Sequence, residues 1–312
     1  MNTALRDELA RELRGRLQNS TLVLDEPMSA HTSFGVGGPA ALFLEAGCEA
    51  DVAAALAFAQ EAGLPWHAIG RGSNLLVADG GLAALVVHIG ARLAGIDIDA
   101  ADGRILAQAG ASDKQAAQAA CEAGLSGLEF LHGVPGSVGG AAVMNAGAYG
   151  REFKDVCTRV SCLDPESGRR VELGREEAGW GYRTSAIARR GLVVVGAEFA
   201  LSPGHRTQIE DRMRELAARR RDKQPLDKKS AGSTFKRPEG HFAGKLVQDA
   251  GMQGHSVGAA QVSCKHAGFI VNNGGATASD IRRCIRDVRD AVRERCGVEL
   301  ECEVRMLGFD AR

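Results

Sequence analysis

Glycine sets the strongest limit on what this chain can become. Its 40 glycines are gathered into clusters, among them GVGG at 35 to 38, GRG at 70 to 72, GVPGSVGG at 133 to 140, NAGAYG at 145 to 150 and NNGG at 272 to 275. A residue without Cβ takes backbone conformations closed to others, so each cluster reads as a tight turn between short elements. The same property supports a second reading, because successive backbone N–H groups can converge on one anion where no Cβ intervenes.

Between the clusters the hydrophobic pattern switches between helical and strand periods. MNTALRDELARELRGRL carries Leu5, Leu9, Leu13 and Leu17 with charges between them, which describes an amphipathic helix and not a secretory segment. EADVAAALAFAQEAGLP (49 to 65) is helical and closed by glycine and proline. HAIGRGSNLLVADGGLAALVVHI (67 to 89) reads as short strands parted by glycine turns, followed by a strand at 104 to 111 and an alanine-rich helix at 113 to 125. CTRVSCLDPESGRRVEL (157 to 173) alternates around a Pro-Glu-Ser-Gly turn, a hairpin signal, and 191 to 201 is a further strand. SPGH (202 to 205) is the linker candidate, with a charged helix at 209 to 224 beyond it. The last helix, 278 to 297, places Ile281, Ile285, Val288 and Val292 on one face, with Ser279 or Asp280 to cap it and Gly297 to end it.

Composition removes several functions. Lys and Arg number 38 against 39 Asp and Glu, a net charge of −1, so the long-range field of a dedicated nucleic-acid binder is missing and any phosphate site must be local. No stretch approaches about 20 uninterrupted apolar residues, so no membrane span is expected. Eight cysteines lie without a CxxC pair in a chain with no export signal at its start, which points to reduced thiols and a cytoplasmic protein. No metal is expected, since structural zinc sites bring ligands in close pairs and the eight histidines show no HExxH spacing.

Chemistry concentrates in KKSAGSTFKRPEG (228 to 240), where Ser233 sits among Lys228, Lys229, Lys236 and Arg237. On residue type alone it could bind phosphate, attack as a nucleophile or donate a proton, although GSTF lacks the GxSxG elbow of a nucleophilic serine. A Rossmann reading of GRGSNLL fails, because Leu75 occupies the third glycine position and a strand follows where a helix is required. Two glycine loops, GRGSN and GVPGSVGG, fit a flavin dinucleotide better than a mononucleotide; the plain alternative is that both are turns.

Taken in order, HTSFGVGGPA (31 to 40), IGRGSNLLV (69 to 77), GLEFLHGVPGSVGGAAVMNAGAYG (127 to 150), YRTS (182 to 185), SAGSTFKRP (230 to 238), GKLVQDAGMQG (244 to 254), KHAGFIVNNGGATASDI (265 to 281) and LECEVRMLG (300 to 308) resemble the UDP-N-acetylenolpyruvoylglucosamine reductase family, type II branch. The resemblance spans roughly 25 to 308. It implies an α+β fold of the vanillyl-alcohol-oxidase flavoprotein type, with FAD-binding subdomains at 1–90 and 91–205, a substrate-binding domain at 206–300 and a C-terminal segment, 301–312, carrying a catalytic acid. It further implies non-covalent FAD, NADPH as hydride donor, UDP-N-acetylglucosamine-enolpyruvate as substrate, no nucleic-acid or membrane partner, and a monomer.

The same resemblance assigns roles residue by residue. Arg183 of YRTS matches the arginine that stabilises the enolate, Ser233 the proton donor, and Glu303 of EVR the third catalytic residue. Periodicity alone leaves Glu301 and Glu303 equivalent, since both would face one side of a strand. For FAD it points to the backbone of Gly70, Arg71, Gly72, Ser73 and Asn74, and of Gly136, Ser137, Val138 and Gly139, with Asn145 and Gly147 beside the flavin. Tyr182, Lys223, Lys236 and Arg237 are the substrate contacts it implies. Departures fall at Lys229, where the branch carries proline, and at His255, Ser256 and Cys264. Two rival readings stand beside this one, a flavin oxidase or dehydrogenase acting on another small molecule, and a nucleotide-sugar-binding regulator without turnover.

Overall fold

The protein is described from a computed structural model covering residues 1–309, and the expected C-terminal segment 301–312 therefore runs beyond the described residues at 310 to 312. The chain divides into two compact units. The first comprises Met1–Leu24, Ala41–Arg71 and Ala84–Arg220, the second Asp25–Ala40, Gly72–Ala83 and the chain from Arg221.

The first unit opens with α1 (Thr3–Arg14), capped by the Asn2 side chain. β1 (Thr21–Pro27), β2 (Pro39–Glu45), β3 (Trp66–Ile69) and β5 (Leu82–His88) form a sheet in the order β1-β2-β5-β3, most of whose residues lie in this unit. α2 (Glu49–Glu61) carries a buried carboxylate, Asp51. Asp51 accepts from Gln18 N–H (2.9 Å), Asn19 N–H (2.8 Å) and Ser20 Oγ (2.7 Å), closing the turn after α1. Burial alone would raise its pKa, but those donors outweigh it and the net shift is downward.

A second, wholly antiparallel sheet in the order β12-β11-β13-β7-β6 is built from β6 (Ile96–Asp99), β7 (Arg104–Gln108), β11 (Cys157–Leu163), β12 (Arg170–Gly174) and β13 (Val193–Ala200). The hairpin expected at 157 to 173 is its β11–β12 pair. Against this sheet pack α3 (Asp113–Glu122) and α4 (Val138–Met144). The glycine run at 127 to 150 thus contains a helix that periodicity did not reveal. Short pairs complete the unit: β9 (Gly147–Ala148) with β10 (Arg151–Glu152), and β8 (Leu125–Ser126) with β14 (Ser202–Pro203). The last pair overturns the linker reading of SPGH, because Leu201 N–H donates to Gly103 O (2.7 Å) and Gly204 N–H to Gly124 O (2.8 Å), which ties the segment down at both ends. One-turn α5 (Ala186–Arg189) precedes β13, and α6 (Arg206–Lys223) buries Ile209, Met213 and Leu216.

In the second unit β4 (Leu75–Val77) pairs in parallel with β18 (Arg305–Leu307). β15 (Ser256–Val257), β16 (Ala260–Val262) and β17 (Ile270–Asn272) form an antiparallel sheet covered by α8 (Ala278–Cys296), against which α7 (Ala243–Asp249) packs. α8 buries Ile281, Cys284, Ile285, Val288 and Val292 on the expected stripe and ends at Gly297. Its cap is Thr277, not Ser279 or Asp280. Thr277 Oγ1 accepts from Asp280 N–H while Asp280 Oδ2 accepts from Thr277 N–H, both at 3.0 Å, so Asp280 sits one turn in as the reciprocal half of a capping box. Asp79, just after β4, adds acceptors for Ala278 N–H (2.7 Å) and Ser279 N–H (2.9 Å).

Candidate functional site

In the first unit the site residues gather around α4. Ser137 is 2 % exposed and caps the helix by accepting from Gly140 N–H at 3.4 Å. The N–H groups of Val138 and Gly139 donate to Ala111 O and Ala109 O, both at 2.9 Å. Those two donors, expected to meet the cofactor, are committed to fixing the helix on the end of β7. Gly136 and Ser137 keep theirs: among the described residues their N–H groups have no acceptor in the chain, and the same holds for Gly70 and Arg71 in this unit and for Gly72, Ser73 and Asn74 in the second. Buried or half-buried donors without partners are rare in native structures and call for a ligand or solvent.

Two glycines in this set are demanded by sterics. A Cβ on Gly70 would run into Ser137 Oγ, and one on Gly72, whose φ is 60°, into the His31 carbonyl. Asp113, the first residue of α3, lies beside the same loop, with its N–H donating to Gly136 O at 3.2 Å. Its carboxylate is buried without a hydrogen-bond partner. Unpaired N–H groups, closely approached glycine backbone and an unpaired buried acid fit a ligand that carries both phosphate and hydrogen-bonding groups, as a flavin dinucleotide does.

Arg183 owes its position to α4. Asn145 ends that helix in the left-handed region (φ 45°) and is fully buried. Its Nδ2 donates to Gly181 O (3.0 Å) and Glu152 Oε2 (3.1 Å), and its Oδ1 accepts from Lys154 N–H (3.1 Å). Trp180 Nε1 donates to Ala142 O and Ser185 Oγ to Val143 O, each at 2.7 Å. Carbonyls that the helix terminus would leave unpaired thus hold the 180–185 turn on both flanks. Within that turn Gly181 and Thr184 bridge, and Arg183 adopts φ 54°, a conformation a non-glycine residue keeps only when its surroundings enforce it. Its guanidinium lies 5.2 Å from the Tyr182 ring centroid, and Tyr182 is exposed. Asn145, expected beside the flavin, therefore has its side chain inside the protein, and Gly147 stands in the short β9–β10 pair.

In the second unit Ser233 and Glu303 come together through the backbone. Phe235 bridges Cys302 antiparallel, Glu303 N–H donates to Thr234 O and Lys236 N–H to Glu301 O, both at 2.8 Å. Thr234 is fully buried and anchors the exposed Ser233: its N–H donates to Gly268 O (2.9 Å) and its Oγ1 accepts from Ile270 N–H (3.1 Å). Asn74 clamps the other strand, with Nδ2 donating to Glu303 O (3.0 Å) and its carbonyl accepting from Arg305 N–H (3.0 Å). Asn74 is thus joined to the acid as well as to the glycine loop.

The two glutamates left equivalent by periodicity differ here. Glu301 is exposed and ion-paired with Lys236, whereas Glu303 is half-buried and bonded at its N–H and carbonyl. Arg237 packs over the exposed Phe242 ring at 4.0 Å and donates through Nε to His241 O (3.1 Å). Lys223 ends α6, exposed. Cys302, beside Glu303, is pushed up to about 11 by burial, which keeps its thiol protonated near neutrality and removes it as a nucleophile. Of the departures, Lys229 lies across Gly35, and His255 Nε2 is 3.1 Å from Asp287 Oδ2. Among the described residues no group of three or more His, Cys, Asp or Glu is placed to hold a metal ion, and no helix is long and apolar enough to cross a membrane.

Sequence reasoning did not find Asp113, Trp180, Ser185 or Thr234. Ser185 is the last letter of YRTS and Thr234 lies within SAGSTFKRP, but neither was assigned a role; Asp113 and Trp180 stand outside the quoted motifs, and Trp180, Ser185 and Thr234 act through partners distant in sequence.

A family model described as FAD binding domain matches residues 40–174, and one described as UDP-N-acetylenolpyruvoylglucosamine reductase, C-terminal domain, matches residues 224–307. The chain is 47% identical over 297 residues to the UDP-N-acetylenolpyruvoylglucosamine reductase of Agathobacter rectalis, covering 92% of this chain and 94% of that protein. It is 43% identical over 306 residues to the protein of the same name from Clostridium kluyveri, covering 97% and 99%. The crystal structure of UDP-N-acetylenolpyruvylglucosamine reductase from Thermus caldophilus aligns with a TM-score of 0.78 at 33% identity, over 93% of this chain and 100% of that one.

Proposed function

Because the chain belongs to the UDP-N-acetylenolpyruvoylglucosamine reductase family, we propose that NADPH is its hydride donor and that Arg183, Ser233 and Glu303 carry its chemistry. The protein is an FAD-dependent oxidoreductase that reduces UDP-N-acetylglucosamine-enolpyruvate to UDP-N-acetylmuramate for peptidoglycan synthesis. Its α+β architecture is the one the motifs implied.

Bound FAD supplies what no side chain can, accepting two electrons from a nicotinamide and delivering a hydride to the terminal carbon of the enolpyruvyl group. The residues that would hold it are Gly70 to Asn74 and Gly136 to Ser137, through their unpaired N–H groups. Hydride addition leaves negative charge on the substrate carboxylate, and a fixed cation is worth most where charge develops. Arg183 fills that role, held in its turn before substrate arrives so that little reorganisation is needed. Ser233 then donates a proton to the carbon next to the carboxylate. A free serine hydroxyl is a weak acid, so the strongly basic enolate must drive the transfer, and Glu303 assists it. Lys223, Lys236, Arg237 and Tyr182 bind the UDP-sugar. Lys236 must exchange Glu301 for phosphate to do so, a swap available to a flexible ammonium.

The functional division proposed is cofactor binding by 1–90 and 91–205, substrate binding by 206–300 and the acid from 301–312, supported by the two matched regions at 40–174 and 224–307. A cytoplasmic monomer completes the reading. The observation that supports the residue roles is the backbone bond between Thr234 and Glu303, which joins the segments carrying Ser233 and Glu303, residues that come from distant motifs. Anaerobic half-reactions test it: NADPH should bleach the flavin, and the enolpyruvyl substrate should restore its colour. Reoxidation by oxygen but not by that substrate would refute the assignment.

A further inference from the structure

Asp113 has no part in the reaction described, yet its situation is unusual. It is 1 % exposed, and neither carboxylate oxygen has a donor within hydrogen-bond reach. An ionised carboxylate so placed costs several kcal/mol unless paired, roughly the penalty of a lone buried charge after relaxation. The usual helix explanation is incomplete. Asp113 occupies the first turn of α3, where negative charge is favoured, but the capping there is done by Ser112 and Gln115, whose side chains satisfy each other's backbone N–H groups at 3.1 and 2.9 Å.

The surroundings point to the cofactor loops. Asp113 N–H bonds Gly136 O, Ser112 bridges Ser137, and Ser137 Oγ lies directly under Gly70, the neighbour of Arg71. Among the described residues Arg71 is the one charged group that acts on Asp113, and it favours the ionised form against the larger opposing effect of burial. Burial wins, and the acid is pushed up to about 7. Arrival of a pyrophosphate at the Gly70 and Arg71 backbone would push it further. That dianion adds negative charge near the acid and takes up the field of Arg71, and both effects favour protonation.

We propose that Asp113 belongs to the flavin dinucleotide's site as a neutral carboxylic acid, which takes up one proton from solvent as the anionic cofactor binds. This rests on the reading that the chain binds FAD through the loops at 70–74 and 136–137. Its consequence is an affinity that falls as pH rises, up to the tenfold per pH unit that uptake of one proton allows. Wild-type affinity should weaken about five- to tenfold between pH 6 and pH 8.

Flavin-stripped protein is titrated with FAD at pH 6, 7 and 8, reading the quenching of flavin fluorescence. Asp113→Asn, a permanently neutral replacement, should bind at pH 8 as tightly as wild type does at pH 6 and show no slope. His132, on the stretch leading to Gly136, is also lowered by burial and by Lys114 and could titrate here, but its contribution would persist in Asp113→Asn. Arg71→Met changes an exposed residue and serves if the asparagine variant does not fold: without the opposing cation, Asp113 is already protonated at pH 7, and the wild-type slope between pH 6 and 8 should shrink. A flat wild-type profile, or a slope unchanged in both variants, overturns the proposal while leaving FAD binding intact. Wild-type protein that takes up no FAD at any pH would instead remove the cofactor reading and this inference with it.

Discussion

Asn145→Ala tests how the Arg183 turn is held, and its cost can be worked from the structure. The substitution deletes three hydrogen bonds. Glu152 loses little, because its carboxylate is partly exposed and also meets Lys154 Nζ at 2.7 Å. Gly181 O keeps Thr184 N–H at 3.4 Å and loses the net worth of one hydrogen bond, while the half-buried Lys154 N–H is left without its acceptor, about 1 kcal/mol each. Alanine must also hold φ 45°, which adds about 1 kcal/mol. The expected loss is about 3 kcal/mol, large against the ~5–15 kcal/mol of a typical domain. Asn145→Gly loses the same bonds without the backbone strain, so it should cost about 1 kcal/mol less, despite glycine's greater unfolded-state entropy. Guanidinium unfolding followed by tryptophan fluorescence reads both, because Trp180 lies in the affected turn. Turnover should fall on the order of 10²-fold in either variant, since a catalytic group displaced by about 1 Å loses that much. Equal stability of wild type and Asn145→Ala, or glycine proving worse than alanine, would refute the reasoning.

Ser233→Ala should leave flavin reduction by NADPH intact while slowing reoxidation by the enolpyruvyl substrate ~10²–10⁴-fold, the range of general acid catalysis; equal slowing of both half-reactions would contradict the proton-donor role. Arg183→Ala should depress turnover far more than substrate affinity, and a change confined to KM would make it a binding residue. Gly70→Ala places a Cβ on Ser137 Oγ, so purified protein should retain less flavin per chain than wild type, read from its visible absorbance. Asp51 has a folded pKa below its ordinary value, so its stabilisation is present above about pH 4 and lost as pH falls through the folded value; the melting-temperature gap between wild type and Asp51→Asn should therefore narrow under acid.

Long periodic elements were legible in the sequence and short ones were not. α8 carries six buried residues at helical spacing and was found with its end at Gly297, but its cap slipped to Ser279 or Asp280 because a capping box puts a good capping residue at both of its ends. α4 escaped notice because Gly139 and Gly140 lower helix propensity, and the helix exists through tertiary bonds from Val138 and Gly139 to carbonyls near β7. The structure gives several motif residues work within the fold. Val138, Gly139 and Asn145 hold the scaffold, and Asn74 reaches Glu303. Such roles depend on partners far apart in the chain, which no local pattern encodes.

The three proposed catalytic residues are placed in one way. None lies in a helix or strand, yet each adjoins residues that cannot move without breaking buried bonds. Arg183 is two residues from Ser185, Ser233 precedes Thr234, and Glu303 precedes Val304, all of them buried. Loops ordinarily open with little free energy, whereas these segments have their polar backbone groups tied to the core of their own unit. The amides of Thr234 and Glu303, donating to Gly268 and Thr234 carbonyls, should therefore exchange with solvent orders of magnitude more slowly than those at the exposed 238–241 turn. Mass-spectrometric hydrogen exchange on peptides covering 230–241 and 299–306 reads this contrast. Fast exchange at both positions would mean that the catalytic segments are ordered by ligand and not by the fold, and preorganisation could not then be the source of the rate.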